Sequence, residues 1–163
     1  MATDFVHLHV HSEFSLVDST VRLKPLIEKV VERGMGAVAL TDMSNLFALV
    51  KMFKTATAAG VKPIFGADIW IQHEDRPQNL SKLVLLCQND IGYLNLKYLI
   101  SRSFQKGQVA DRPTVTMEWV KEYSEGLICL SGALEGDVGQ AIRGQNLIQA
   151  EEYLERWTSI FNG

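Results

Sequence analysis

The sequence lacks an excess of positive charge. Sixteen Lys and Arg stand against nineteen Asp and Glu, giving a net charge of −3 and a pI near 5.8. A domain that grips a nucleic-acid backbone by itself usually carries a basic stripe, so that class is disfavoured. Cysteine is scarce as well. The two present, Cys87 and Cys129, sit inside the apolar runs LVLLCQN and GLICLS. Their spacing suits neither a metal knuckle nor a disulfide framework, and they read as buried free thiols in a reducing compartment. No run reaches the ~18 apolar residues of a membrane helix. MATDFVHLHV has no basic stretch leading into an apolar one, so no signal peptide is expected and the reading is cytoplasmic. No glycine-rich loop suited to cradling phosphate occurs.

What is present is an alternation of short apolar runs and longer helical patterns. FVHLHV (5–10) alternates strictly and predicts a strand. RLKPLIEKVVERG predicts a helix with Leu26, Ile27, Val30 and Val31 on one face, stopped at Gly34. GAVALT (36–41) is a buried strand. A helix is expected from Asn45 to Ala59 with Leu46, Phe47, Leu49, Val50 and Phe53 inward. KPIFGADIWI (62–71) and KLVLLCQ (82–88) read as strands, joined by the polar QHEDRPQNLS as a loop or hairpin connection in which His73 would lie at the surface.

Asp90 is expected to cap a helix to about Phe104, QKGQVADRP to be a surface loop, Met117–Tyr123 a short helix, GLICLS a strand and GDVGQAIRG a brief helix. The last helix places Leu147, Leu154, Trp157 and Phe161 at helical spacing. The aromatics Trp119, Tyr153, Trp157 and Phe161 read as packing residues. The order β-α-β-α-β-β-α-(α)-β-α-α predicts an α/β chain with a mostly parallel sheet or barrel. At 163 residues it has the size of one ordinary domain. A full (β/α) barrel needs ~250 residues, so a barrel of this kind would be cut short here.

Three of the four histidines fall in HLHVH, as His7, His9 and His11. On a strand all three share one face, with ~6.6–7 Å between neighbours at ~3.3 Å per residue. Two imidazoles so placed can converge on one metal or bridge two, and imidazole suits zinc, iron and other borderline ions. The plainer alternative is a histidine face packed in the fold or lying on an open sheet. Asp18 in SLVDS could cap a helix or close a turn, and Asp42 with Asn45 could cap the following helix. Asp68, in the apolar IFGADIWI, requires a partner if buried.

The runs VHLHVHSEFSLVDS (6–19), ALTDMSNLF (39–47), GVKPIFGADIWI (60–71) and LICLSGALEGDV (127–138) closely resemble the PHP (polymerase and histidinol phosphatase) domain, in the family's order. More narrowly, the chain is similar to the PHP domains at the front of bacterial replicative DNA polymerases. The resemblance implies an α/β fold, part of a distorted seven-stranded (β/α) PHP barrel truncated before closure, with residues 1–163 the N-terminal portion of the domain.

Intact family members hold a trinuclear metal cluster that supports phosphoester hydrolysis. By position, His9 and His11 match the family's HxH pair and Asp18 the ligand that follows. Asp42 matches the aspartate of the T-D-H-G signature, and Asp68 takes the place of a glutamate. Met43 stands where that signature has histidine, and a thioether does not replace imidazole in a hydrolytic zinc site. Lys82 stands where a further histidine is often found, and Ala133 replaces a cysteine or histidine. Two more ligands would fall after Gly163.

The resemblance therefore implies a remnant site (His9, His11, Asp18, Asp42, Asp68) with low occupancy, residual zinc or manganese at most, and no catalytic residue in this stretch. It also implies a longer parent chain, a DNA-directed DNA polymerase acting in replication with magnesium. The expected partners are the rest of the polymerase alpha chain, DNA through other domains, and the proofreading exonuclease (epsilon) subunit, which this module would help to anchor. The alternative is an active metal-dependent phosphoesterase or 3′–5′ exonuclease in the PHP site.

Overall fold

A computed structural model describes residues 5–74 and 76–161, with the side chains of Val17, Pro77 and Gln78 left out of the description. The chain divides into two compact units, Met1–Ala67 and Asp68–Gly163.

In the first unit a 3-10 turn (Glu13–Asp18) is followed by α1 (Leu23–Glu32), β1 (Ala37–Leu40), α2 (Leu49–Ala58) and the start of β2 (Lys62–His73). β1 and β2 pair in parallel, from Ala37 opposite Lys62 to Leu40 opposite Phe65. A parallel pair needs a crossover, and α2 supplies it. The HLHVH segment lies extended beside β1 but forms only one isolated parallel bridge, His7 with Val38. Ala39 N–H donates to the His7 carbonyl and Thr41 N–H to that of Val10, both at 2.8 Å. The strand expected over 5–10 is therefore an extended segment rather than a full ladder member.

The core of this unit gathers Leu23, Ile27 and Val30 of α1, Val38 and Leu40 of β1, and Ala48, Met52, Ala56 and Val61. α1 follows its pattern apart from Val31, which is exposed. α2 departs from it. The helix begins at Leu49, and it turns Met52 and Ala56 inward while Phe47, Val50 and Phe53 are exposed. Asn45 explains the later start. Its Nδ2 donates to the carbonyls of Phe14 and Met43, and its Oδ1 accepts from Phe47 N–H. That side-chain turn occupies residues 45–47 and competes with helix formation there. The small residues Ala48 and Ala56 line the inward face instead.

The second unit contains the remainder of β2, β3 (Arg76–Cys87), α3 (Asp90–Lys106), β4 (Gln108–Val109), β5 (Arg112–Thr116), α4 (Met117–Glu122), β6 (Leu127–Leu130), a 3-10 turn (Ala133–Glu135), α5 (Asp137–Arg143) and α6 (Leu147–Ile160). Its strands lie in the order β4-β5-β2-β3-β6. β5 runs parallel to β2, with Ile71 opposite Val115. β6 is antiparallel to β3, with Leu85 opposite Cys129, and β4 is antiparallel to β5. The sheet is therefore mixed, not mostly parallel. β2 ends at His73 and β3 begins at Arg76, a connection too short for a crossover. The polar stretch expected as a connection is mostly strand, and Asp75 lies outside the described residues.

This hairpin overturns the placement of His73. The side chain is buried, with Nε2 2.8 Å from Ser81 Oγ across the hairpin. The same nitrogen lies 3.7 Å from Asp137 Oδ2, which accepts the indole N–H of Trp157 at 2.7 Å. Arg76 donates to the Tyr153 hydroxyl. Buried Tyr and Trp need partners for their polar tips. Here those partners turn Tyr153, Trp157 and Ala150 of α6 inward and leave Leu147 and Leu154 exposed, against the sequence pattern. Among the described residues no helix is long and apolar enough to cross a membrane.

Candidate metal centre

HLHVH ends where Ser12 caps the 3-10 turn, its hydroxyl accepting from Phe14 N–H. The rings of His9 and His11 lie perpendicular, with centroids 5.0 Å apart. His11 Nδ1 donates to Asp18 Oδ2 at 2.7 Å. Asp18 returns to the segment because the turn is kinked at Leu16, whose φ of 58° and ψ of −100° break the helical course. Of the residues singled out in the sequence, the first unit thus brings His9, His11 and Asp18 into one neighbourhood. His7 is exposed, and its ring meets Phe5 edge-on.

Asp42 is engaged elsewhere. It follows β1 and Thr41, which exchanges hydrogen bonds with the Val10 backbone. Its carboxylate is buried and accepts three hydrogen bonds: Ser12 N–H to Oδ1 at 2.6 Å, Ser12 Oγ to Oδ2 at 2.8 Å and Ser15 Oγ to Oδ1 at 2.8 Å. Ser15 Oγ in turn accepts from Met43 N–H. The carboxylate clamps the 3-10 turn to the end of β1. It does not cap α2, which begins seven residues later, at Leu49. Ser44 follows in the left-handed region at φ 51°, buried, its hydroxyl without a partner among the described residues.

In the second unit Asp68 is buried on β2. Lys82, on β3, is 9 % exposed. Its ammonium donates to Glu135 Oε2 at 2.8 Å and lies 5.2 Å from the centroid of Trp70. The opposite charge of Glu135 and the Trp70 ring give this buried cation its compensation. Ala133 stands exposed in the 3-10 turn after β6, at φ 48°.

The cysteines take no part in this chemistry. They are half-buried free thiols on neighbouring strands. Burial pushes Cys87 up to about 11, and burial with the Asp137 charge pushes Cys129 up to about 12. Such thiols stay protonated and unreactive near neutral pH.

The sequence reading missed Ser12 and Ser15 as holders of Asp42, and Glu135 as the partner of Lys82. Ser12 directly follows HLHVH, but neither serine carries a signal of its own. Their importance arises only when residues 27 to 30 positions apart meet.

Perpendicular imidazoles, one hydrogen-bonded to a carboxylate, at the end of an extended segment of a mixed α/β chain are an arrangement of donors that could hold a metal ion. Comparison with known proteins narrows the class. The PHP domain family matches residues 7–163, and the chain belongs to that family. It is 49 % identical over 161 residues to DNA polymerase III subunit alpha of Pseudomonas aeruginosa, covering 99 % of this chain and 14 % of that protein. The same subunit of Vibrio cholerae is 45 % identical over 157 residues, covering 96 % of this chain and 14 % of that protein. That of Escherichia coli K12 is 42 % identical over 148 residues, covering 91 % and 13 %. The chain thus spans about one seventh of the length of these relatives.

Proposed function

We propose that this chain is the opening portion of the PHP module of a replicative DNA polymerase alpha subunit, and that the module is a structural and docking element with a reduced cation site. The observation that carries this reading is the state of Asp42. Its two oxygens already accept three short hydrogen bonds from Ser12 and Ser15, so its contribution is to hold the loop. Met43, Lys82 and Ala133 support the same reading, since none supplies the imidazole or thiolate that the family places there. Removing ligands lowers both metal affinity and the charge stabilisation that hydrolysis requires.

The remaining donors suit a borderline cation. His9 and His11, with Asp18 beside His11, would hold residual zinc or manganese. A bound ion would supply Lewis acidity and a water of lowered pKa. The chain's own contribution is to orient the imidazoles and fix the loop after them. Seven strands closing into a barrel, the rest of the alpha chain, DNA held by other domains, the magnesium-dependent polymerase chemistry, the cytoplasmic location and the docked proofreading exonuclease all belong to this proposal.

Two measurements on the purified chain test it. Supplied with manganese or zinc, it is expected to leave bis-p-nitrophenyl phosphate unhydrolysed above the blank, and to bind the exonuclease subunit in a co-elution assay. Metal-dependent turnover abolished by His9→Ala would instead establish an active phosphoesterase. Absence of a complex would refute the docking role.

A further inference from the structure

We infer that Asp18 is the positioning residue of His11, and that it acts on a cation through that ring rather than as a ligand of its own. The inference rests on reading HLHVH as a cation site, and it assigns to Asp18 a role different from the one its alignment with the family implies.

Three features of the first unit converge on it. Asp18 Oδ2 lies 2.7 Å from His11 Nδ1, a distance typical of a strong charge-assisted hydrogen bond. The next residue holds the other side of the same histidine, because Ser19 Oγ donates to the His11 carbonyl at 2.8 Å. Consecutive residues thus grip both the ring and the main chain of His11. The third feature is the route by which Asp18 gets there. Leu16 sits at φ 58° with its side chain exposed, a backbone conformation a leucine adopts only under constraint. The kink turns the end of the 3-10 turn back onto the extended segment that precedes it.

The chemistry follows from the two nitrogens of imidazole. A neutral ring carries one proton, and the hydrogen bond made by one nitrogen decides which nitrogen carries it. With Nδ1 donating to Asp18, the proton resides on Nδ1, and Nε2 is the nitrogen whose lone pair can meet a cation. A carboxylate behind the ring also raises its basicity as a ligand. His11 is the better shielded partner, with 13 % of its side chain exposed against 40 % for Asp18. That asymmetry fits a ring held from the solvent side. Asp42 provides the contrast, since it holds the loop and touches neither imidazole through any of its three hydrogen bonds.

The test compares wild type with Asp18→Ala and His11→Ala in the full 163-residue chain. Long-range nitrogen–proton NMR spectra, recorded at alkaline pH where the rings are neutral, report the tautomer of each histidine without any metal. His11 is expected as the Nδ1–H form in wild type and to shift towards the Nε2–H form in Asp18→Ala, with His9 unchanged. An identical His11 tautomer in both proteins overturns the inference. Zinc titration by calorimetry then separates positioning from ligation. Asp18→Ala is expected to weaken zinc about 10- to 100-fold, as loss of an outer-shell partner does, whereas His11→Ala abolishes binding. Loss in Asp18→Ala as complete as in His11→Ala makes Asp18 a ligand and also overturns the inference. A wild-type chain that takes no zinc defeats the cation-site reading, while the tautomer measurement still decides whether Asp18 sets the His11 ring.

Discussion

Replacing Asp42 with alanine removes both acceptors from a buried cluster of donors. Ser12 N–H, Ser12 Oγ and Ser15 Oγ lose their partner, in a place where Ser12 is 0 % and Ser15 7 % exposed. A hydrogen bond to a charged group contributes about 1.5–3 kcal/mol, so simple addition over three bonds gives roughly 4–9 kcal/mol. Both hydroxyls can rotate towards other acceptors, whereas the Ser12 amide is fixed by the backbone. The desolvation of one buried carboxylate also disappears with the mutation. A net loss of about 3–5 kcal/mol remains, the usual cost of breaking a buried charged network. Set against a typical total stability of about 5–15 kcal/mol, that is a large fraction.

The assay is urea unfolding followed by circular dichroism, with amide exchange at residues 12–15 as the local readout. A fall in midpoint at unchanged slope and loss of protection at Ser12 are expected. The double-mutant cycle of Asp42→Ala with Ser15→Ala should return a coupling of about 1 kcal/mol or more. A destabilisation below ~1 kcal/mol, or additive effects in the cycle, would refute the claim that Asp42 clamps this loop.

Ser44→Gly should stabilise the chain by about 0.5–1 kcal/mol. The left-handed conformation costs a non-glycine residue about 1–2 kcal/mol, partly offset by the greater unfolded-state freedom of glycine, and the partnerless buried hydroxyl goes as well; a lowered urea midpoint would contradict this. Trp157→Phe removes the indole donor from the buried Asp137 carboxylate and should cost about 2–3 kcal/mol, read as a drop in thermal midpoint; an unchanged midpoint would show that Val138 N–H and the nearby His73 suffice for Asp137. Because burial raises Cys87 to about 11 and Cys129 to about 12, folding favours the protonated thiols. Their contribution is complete below the unfolded thiol value of 9.0 and fades as pH climbs towards those raised values. Thiol alkylation near pH 9 should accordingly be much slower in the native chain than in urea, and equal rates would sink the argument.

The parts of the fold that were legible in the sequence are those governed by local chemistry. Gly34 ends α1, Asp90 marks the start of α3 although Asn89 is the residue that caps it, and the apolar runs announce the strands other than β4 and β5, which begin within the polar QKGQVADRP expected as a surface loop. What escaped depended on neighbours distant in the chain. α2 began late because the Asn45 side chain reaches the Phe14 carbonyl, 31 residues away. α6 turned on its axis because Tyr153 and Trp157 found Arg76 and Asp137. His73 looked superficial because its flanks are polar, yet those flanks are strand and its partner Ser81 lies across the hairpin. The candidate centre shows the same division. HLHVH was visible because its histidines alternate along one short extended segment. The diversion of Asp42 to Ser12 and Ser15 was not, because hydroxyls carry no spacing rule that would announce it.

Lys82 has a consequence for how the chain responds to its surroundings. Its ammonium is covalently part of the protein, set between Glu135 and the Trp70 ring. A charge of that kind cannot be stripped by a chelator, displaced by a competing ion or left unfilled when a metal is scarce. This corner of the second unit therefore keeps its compensation through metal starvation and metal excess alike, which a coordinated ion could not guarantee.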